Sequence, residues 1–156
     1  MDIEDLLVLE TKIVQKRVVF KFTYTEISIT ELRTLKTVEL MESVLKSLRK
    51  KEVTNVCFVF VINSLEMTTN IKLFEQFASI FRSYTDVIKQ KLDFTIIQTN
   101  NGIFKLFFSL FKMYYEPIKP LYMCHTKESV EKCLTSSSER NKISDLSEKI
   151  IKDSKC

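Results

Sequence analysis

One short stretch decides the fold of this chain, the run Val56-Cys57-Phe58-Val59-Phe60-Val61-Ile62. Asn55 and Asn63 bound it on its two sides. Seven consecutive apolar residues are too few for a buried helix, but they suit a strand that is covered on both faces. Because such strands belong to parallel sheets, we expect this run to be the central strand of an α/β domain.

Strand-like and helix-like patterns alternate on both sides of this run. Before it, residues 6–14 and 17–24 are rich in β-branched and aromatic side chains, which predicts a strand pair. A capping box at Ser28 and Glu31 opens an amphipathic helix that we expect to end near Lys50. The chain therefore begins with two strands and a helix.

Five further elements and a tail follow the central run. They are a helix capped by Thr68, Thr69 or Asn70 and running to about Lys89, a strand at 93–99, a helix at 103–116, a strand at 121–124 and a helix at 127–134. The order ββαβαβαβα predicts an α/β fold with a mainly parallel sheet covered by helices. We assign residues 1–135 to this single domain and the polar residues 136–156 to a mobile tail with a short helix.

Composition indicates a soluble, globular protein. Of the 156 residues, 45% are hydrophobic and 28% charged, and no segment approaches the roughly 18 apolar residues of a membrane span. The acidic start, residues 1–5, lacks the basic and apolar regions of a signal peptide, so we expect a cytoplasmic protein. A single glycine beside abundant Lys, Ile and Phe is typical of an AT-rich genome, such as that of a virus.

The sequence also argues against several kinds of site. Its four cysteines are far apart and only one histidine is present, so we expect free thiols and no metal. One glycine cannot build a phosphate-binding loop, so we expect no nucleotide cofactor. The basic run 49–51 falls at a helix end, where cations complement the helix dipole, and we expect no nucleic-acid partner.

The helix predicted at 103–116 carries more apolar surface than one packing face needs. Its polar residues form one narrow stripe: Lys105, Ser109, Lys112 and Glu116. The excess is covered by a neighbouring helix, the tail or a second subunit, or else it borders a hydrophobic ligand, a membrane or a partner. On the second reading the binding residues are Lys105, Phe107, Phe108, Phe111, Lys112 and Tyr115, with the two lysines available to an anionic head group or an acidic partner.

Two stretches in this part of the chain are Ile96-Ile97-Gln98-Thr99-Asn100-Asn101-Gly102-Ile103-Phe104 and Leu110-Phe111-Lys112-Met113-Tyr114-Tyr115-Glu116-Pro117. They resemble segments of the CRAL-TRIO family of lipid-transfer domains. They look like the strand, loop and gate helix of that family, and the resemblance covers about residues 55–126. It implies a lipid as the bound ligand.

The same element order resembles STAS domains of the anti-sigma-factor-antagonist type, which act through protein contacts. That family carries a phosphorylatable Ser or Thr at the start of the helix after the central strand. Ser64, Thr68 and Thr69 occupy this neighbourhood here, so Thr68 or Thr69 is a candidate phospho-switch. The simpler interpretation is that they cap the helix.

These observations favour a non-catalytic binding module over an enzyme. The first expectation is a hydrophobic ligand or membrane on the aromatic helix, and the second is a STAS-like regulatory domain that binds a protein or forms a homodimer. A third reading, from a different class, is a small enzyme with a site around His125. Since Cys124 and His125 are adjacent on a strand end, their side chains point to opposite faces and do not form a nucleophile–base pair.

Overall fold

A computed structural model describes residues 7–24, 31–62, 71–100, 102, 109 and 112–146. Its strands are β1 (Leu7–Val14), β2 (Arg17–Tyr24), β3 (Val56–Ile62), β4 (Leu92–Gln98) and β5 (Leu121–Cys124). Its helices are α1 (Glu31–Lys50), α2 (Ile71–Ser83), α3 (Thr85–Lys91), α4 (Lys127–Thr135) and α5 (Ser137–Arg140). Gly102, Ser109 and residues 112–114 are also helical.

The strands form one mixed sheet in the order β1-β2-β3-β4-β5. β1 and β2 pair antiparallel, whereas β2, β3, β4 and β5 are parallel. The α/β class and the central position of the run Val56–Ile62 are thereby confirmed. The finer assignment to a STAS or CRAL-TRIO type stays a prediction.

A two-residue turn joins β1 to β2, as the sequence predicts. Gln15 and Lys16 have φ values of 50° and 67°, the left-handed values that a type I′ hairpin turn requires at both central positions. The turn places Val14 opposite Arg17 and Leu7 opposite Tyr24, so the two strands pair along their full length.

The crossover helices cover one face of the sheet, which we call the crossover face. It carries Phe22, Phe58 and Ile97, which pack with Met41 and Leu45 of α1 in one core that also includes side chains of α2 and α3. Sequential parallel strands joined by right-handed crossovers place all their helices on the same side, which explains this arrangement.

The opposite face, which we call the α4 face, carries a smaller core. Cys57, Val59 and Ile96 pack there against Val130 and Leu134 of α4. The first turn of α4 is capped by Thr126, whose hydroxyl accepts a hydrogen bond from the Ser129 amide at 3.0 Å. The helix predicted at 127–134 is therefore present, and helices lie on both faces of the sheet.

A β-bulge at Asp93 divides β4 between the two cores. Val56 pairs with Leu92 and Cys57 pairs with Phe94, which leaves Asp93 as an extra residue. Leu92 consequently joins the crossover core, whereas Phe94, two residues later, joins the α4 core. Arg17 reaches the bulge, with Nη2 3.3 Å from the Asp93 carboxylate.

The helix predicted from about residue 70 to Lys89 is interrupted at Tyr84, so its expected continuity was wrong. Tyr84 has φ −111° and ψ 29° and separates α2 from α3. Two hydroxyls near the break bond backbone carbonyls: Ser83 Oγ donates to Ser79, and Thr85 Oγ1 donates to Arg82. Such side-chain bonds compete with the regular ladder and favour a bend.

The chain after α4 passes from one face of the sheet to the other. Ile143 packs against the α4 core and Leu146 against the crossover core. Between them, the Asp145 carboxylate accepts a hydrogen bond from the amide of Leu121, the first residue of β5, at 3.0 Å. This segment therefore crosses the edge of the sheet beside β5.

Candidate functional site

An apolar pocket of about 80 Å³ lies on the crossover face and is partly open to solvent. Its floor is the sheet, through side chains of β3 and β4: Phe58, Phe60, Ile62, Leu92, Thr95 and Ile97. One wall is α2 and the other is the segment at 114–119. The pocket therefore lies beside the C-terminal end of the predicted aromatic helix.

The wall formed by α2 owes its shape to one small side chain. Phe77, Ala78 and Phe81 face the pocket, and the rings of Phe77 and Phe81 are stacked with centroids 6.3 Å apart. Ala78, on the same helix, is 3% exposed and is the only alanine of the chain. A methyl group at this position leaves space that a larger side chain would fill.

The second wall is held to α2 by polar and aromatic contacts. Arg82 donates a hydrogen bond to the carbonyl oxygen of Tyr114, and the ring of Tyr115 lies 5.4 Å from that of Phe81. Burial raises the pKa of Tyr115 to about 12, so its phenol is neutral at physiological pH. The helix ends at Tyr114, before the predicted end at Glu116, because Pro117 disfavours helical geometry in the preceding residue.

The mouth of the pocket combines exposed apolar side chains with a cation. Ile118 lines the pocket and is 38% exposed, and Met113, on the adjoining helical turn, is 71% exposed. Lys119 is the cationic residue of the lining. A ligand with an apolar end and an anionic end therefore finds complementary groups inside and at the rim.

The size of the pocket limits what it holds. Cavities that bind a ring the size of benzene measure on the order of 150 Å³, about twice the volume here. The observed space suits a narrow group of a few carbon atoms, such as the end of a linear chain or one apolar side chain. A bulky, rigid ligand does not fit without movement of the walls.

The structure brings part of the predicted site to this pocket. Tyr115 lines the pocket, while Lys112 is exposed one helical turn before it. Four predicted binding residues lie outside the described residues, namely Lys105, Phe107, Phe108 and Phe111. The candidate phospho-switch residues Thr68 and Thr69 also lie outside them, as does Ser64.

Sequence reasoning missed Ala78, Phe81 and Lys119 as pocket residues. A usable signal existed for the first of these, since a lone alanine on a helix face otherwise occupied by phenylalanines indicates a local deficit of volume. No comparable signal marks Lys119, whose position depends on how the chain re-enters the sheet after Pro117.

The histidine and the described cysteines form no arrangement suited to nucleophilic catalysis. His125 is exposed, and its Nδ1 lies 3.2 Å from the carbonyl oxygen of Thr99. Cys124 points instead into the α4 core, where a hydrogen bond with Cys133 and burial raise its pKa. Burial likewise raises the pKa of Cys57, so these two thiols stay protonated.

Three of the four scattered cysteines meet in one place. Cys57, Cys124 and Cys133 are free and buried together on the α4 face, although 67 to 76 residues separate the first from the other two. Within the described ranges, no group of three or more His, Cys, Asp or Glu side chains is arranged to hold a metal ion. None of the described helices has the length and apolar composition needed to cross a bilayer.

Comparison with known proteins returned no relative. No protein-family model matches the chain, and neither a curated protein nor a solved structure matches it significantly.

Proposed function

We propose that this protein is a non-catalytic binding module that takes the apolar end of a linear, lipid-like ligand into the pocket beneath residues 114–119. The single observation that carries the proposal is an apolar pocket, partly open to solvent, between the sheet and α2. Its position beside the aromatic segment agrees with the resemblance to CRAL-TRIO domains, which implies a lipid ligand.

The chemistry of the lining supports a chain rather than a polar metabolite. The neutral phenol of Tyr115 and the side chains around it supply apolar contact, and Lys119 is placed for an anionic head group. Each buried methylene contributes about 0.8 kcal/mol, so even a few carbons bind measurably when the head group is also held. An anionic, single-chain amphiphile is the ligand class that best fits these groups.

A stability measurement combined with a binding measurement tests the proposal. Leucine at position 78 adds three carbons to a pocket of about 80 Å³, whose emptiness costs up to about 2 kcal/mol. We expect Ala78→Leu to raise the free energy of unfolding while abolishing the binding of dodecanoate, measured by calorimetry. A variant that is both more stable and unable to bind separates a ligand pocket from a packing defect.

Two further variants complete the test. Ser79→Leu adds a similar side chain to the exposed side of the same helix and is expected to leave binding unchanged. Ile118→Trp narrows the mouth without entering the core and is expected to weaken binding. Dodecanoate binding that is equal in wild type, Ala78→Leu and Ile118→Trp would refute the proposed site.

A protein partner is the second candidate, favoured by the same small volume, which suits one leucine side chain. The hydrocarbon length of the ligand distinguishes a lipid site from a protein-partner site. For a lipid that enters by its end, affinity keeps rising with carboxylate length because further methylenes contact the exposed Met113 and Ile118 at the mouth, whereas a side-chain pocket gains nothing once its few carbons are placed. Lys119→Met gives an independent readout, since it should remove any preference for dodecanoate over dodecanol.

A further inference from the structure

The outer edge of β1 is the longest exposed strand edge in the described part of the chain. β1 has eight residues, is the first strand of the sheet and pairs with β2 on one side only. At the other end of the sheet, β5 has four residues, and Asp145 bonds its first amide. A long unprotected edge is a template for pairing with another strand.

The hairpin turn determines which backbone groups of β1 point outward. In a two-residue turn, the residues before and after it share a hydrogen bond, so Val14 and Arg17 are a hydrogen-bonded pair. Pairs alternate along an antiparallel ladder, and Lys12 and Glu10 therefore also bond to β2. The amides and carbonyls of Leu9, Thr11 and Ile13 are left facing away from the sheet.

The side chains of β1 are self-complementary about Thr11. When a second copy pairs antiparallel with Thr11 at the centre, Glu10 lies opposite Lys12 of the partner subunit, and Lys12 lies opposite Glu10 of the partner subunit. Apolar residues also meet, because Leu9 faces the partner's Ile13 and Val8 faces the partner's Val14. Every residue from 8 to 14 thus finds a partner of matching chemistry.

Neighbouring registers lose this match. A centre at Glu10 places two glutamates opposite each other, and a centre at Lys12 does the same with two lysines. Like charges directly opposite each other destabilise a pair of strands. The Thr11 register also uses the outward backbone groups of Leu9, Thr11 and Ile13, as antiparallel pairing requires.

Two exposed apolar side chains gain cover in this pairing. Ile13 is 76% exposed and Val8 is 42% exposed, both on a strand edge where charged residues usually discourage pairing. In the Thr11 register, they meet the partner's Leu9 and Val14, on opposite faces of the sheet. Lys12 already contacts Glu131 at 2.8 Å, so the partner's Glu10 adds a second carboxylate to the same cation.

We propose that two copies of this chain associate through antiparallel pairing of β1 with β1, centred on Thr11, to form one continuous sheet. The symmetry is twofold and the interface is isologous, so it closes at a dimer and does not extend into a filament. The pocket lies under α2 on β3 and β4, away from this edge, and the dimer does not depend on the proposed ligand.

Charge exchange tests the register directly. We expect the wild type to sediment as a dimer, and Glu10→Lys or Lys12→Glu to weaken the dimer by about tenfold or more, because each replaces two attractive pairs with two repulsive ones. The double variant Glu10→Lys/Lys12→Glu restores opposite charges across the interface and should regain the dimer. Glu75→Lys, on the exposed side of α2, is the matched control, and this variant should still sediment as a dimer.

A proline tests the backbone contribution. Thr11→Pro removes an amide that β2 does not use, so the hairpin is retained while the central pair is lost, and a monomer is expected. Circular dichroism checks that Thr11→Pro is folded. If this variant is unfolded, the charge variants alone test the pairing of β1 with β1. A wild type that is monomeric up to about 1 mM, or a dimer unchanged by the charge exchanges, would overturn the proposal.

Discussion

The hydroxyl of Thr99 donates a hydrogen bond to the carbonyl oxygen of Ile62 at 2.7 Å, joining the ends of β4 and β3. The amide of the same residue donates to the carbonyl oxygen of Cys124 at the end of β5. Thr99 is 3% exposed, so both bonds are protected from water. One side chain and its amide therefore hold three parallel strands together where they end.

We expect Thr99→Val to lower the free energy of unfolding by about 1–2 kcal/mol, because it removes a buried hydrogen bond without changing the shape of the side chain. Urea unfolding measures the difference. Thr135→Val is the control, since that hydroxyl donates to the carbonyl oxygen of Glu131 at an exposed position, and its loss should cost under about 0.5 kcal/mol. If Thr99→Val and Thr135→Val cost the same free energy, the buried hydrogen bond of Thr99 does not stabilise the strand ends as we propose.

The hairpin turn predicts a stabilising change. Gln15 and Lys16 both adopt positive φ, which costs free energy in residues that carry a branched or long side chain. Gln15→Asn with Lys16→Gly supplies the residues that prefer a type I′ turn, and we expect a gain of about 1 kcal/mol in thermal or urea unfolding. Lys16→Val should have the opposite sign; a stabilising valine would mean that the turn is of another type.

The contacts of Arg17 require a guanidinium, so we expect lysine at this position to be destabilising. Arg17 donates to Asp93 and to the carbonyl oxygen of Leu134, and its Cζ lies 4.7 Å from the centroid of the Phe94 ring. An ammonium group reaches only one of these partners, so we expect Arg17→Lys to cost about 1–2 kcal/mol in urea unfolding.

Arg49→Lys gives the comparison for Arg17. Arg49 pairs with Asp86 at an exposed position and its Cζ lies 4.4 Å from the centroid of the Tyr84 ring, so we expect this substitution to cost about 0.5–1 kcal/mol. A cost for Arg17→Lys no greater than that for Arg49→Lys would show that the bulge does not depend on the guanidinium.

The pair of Arg49 and Asp86 predicts a pH dependence. A hydrogen bond from Arg49 holds the pKa of Asp86 below its usual value. The ionised carboxylate of Asp86 therefore stabilises the folded state fully above its unfolded pKa of about 4. This stabilisation is lost as the pH falls through the lower pKa of the folded state. We expect wild type to be more stable than Asp86→Asn at neutral pH, with the gap closing in acid.

Urea unfolding at neutral pH and at about pH 2 to 3 measures the gap between wild type and Asp86→Asn. In an Arg49→Met background, Asp86→Asn should show little of this pH dependence. If the difference in free energy of unfolding between wild type and Asp86→Asn grows as the pH falls, the predicted pH dependence is wrong.

Periodic patterns predicted the elements of this fold, because an apolar run or a repeat of three and four residues follows directly from how a strand or helix is buried. The run at Val56–Ile62, the hairpin and α4 are examples. Features that depend on competition between local bonds were not predictable in this way. The bulge at Asp93 and the break at Tyr84 have no glycine or proline to mark them.

The pocket was only partly predictable, for a different physical reason. The excess of apolar residues at 103–116 indicated that this region borders something hydrophobic, and Tyr115 does line a pocket. A cavity, however, is the volume left over when several elements pack, so it depends on distances between elements. Lys119 belongs to it through that packing, and neither the period nor the charge pattern of its own segment indicates this; for Ala78 the lone small side chain among phenylalanines is the only local sign.

The coincidence of strand order and chain order bears on how the molecule is made. Each described strand after β1 finds a neighbour already synthesised when it leaves the ribosome, and none of these five strands has to be inserted between two others. Pairing between strands that follow each other in the chain favours growth of the sheet from its N-terminal hairpin, one strand and helix at a time. We expect arrested nascent chains to gain protease resistance in steps, once β3 and then β4 have emerged, well before translation ends.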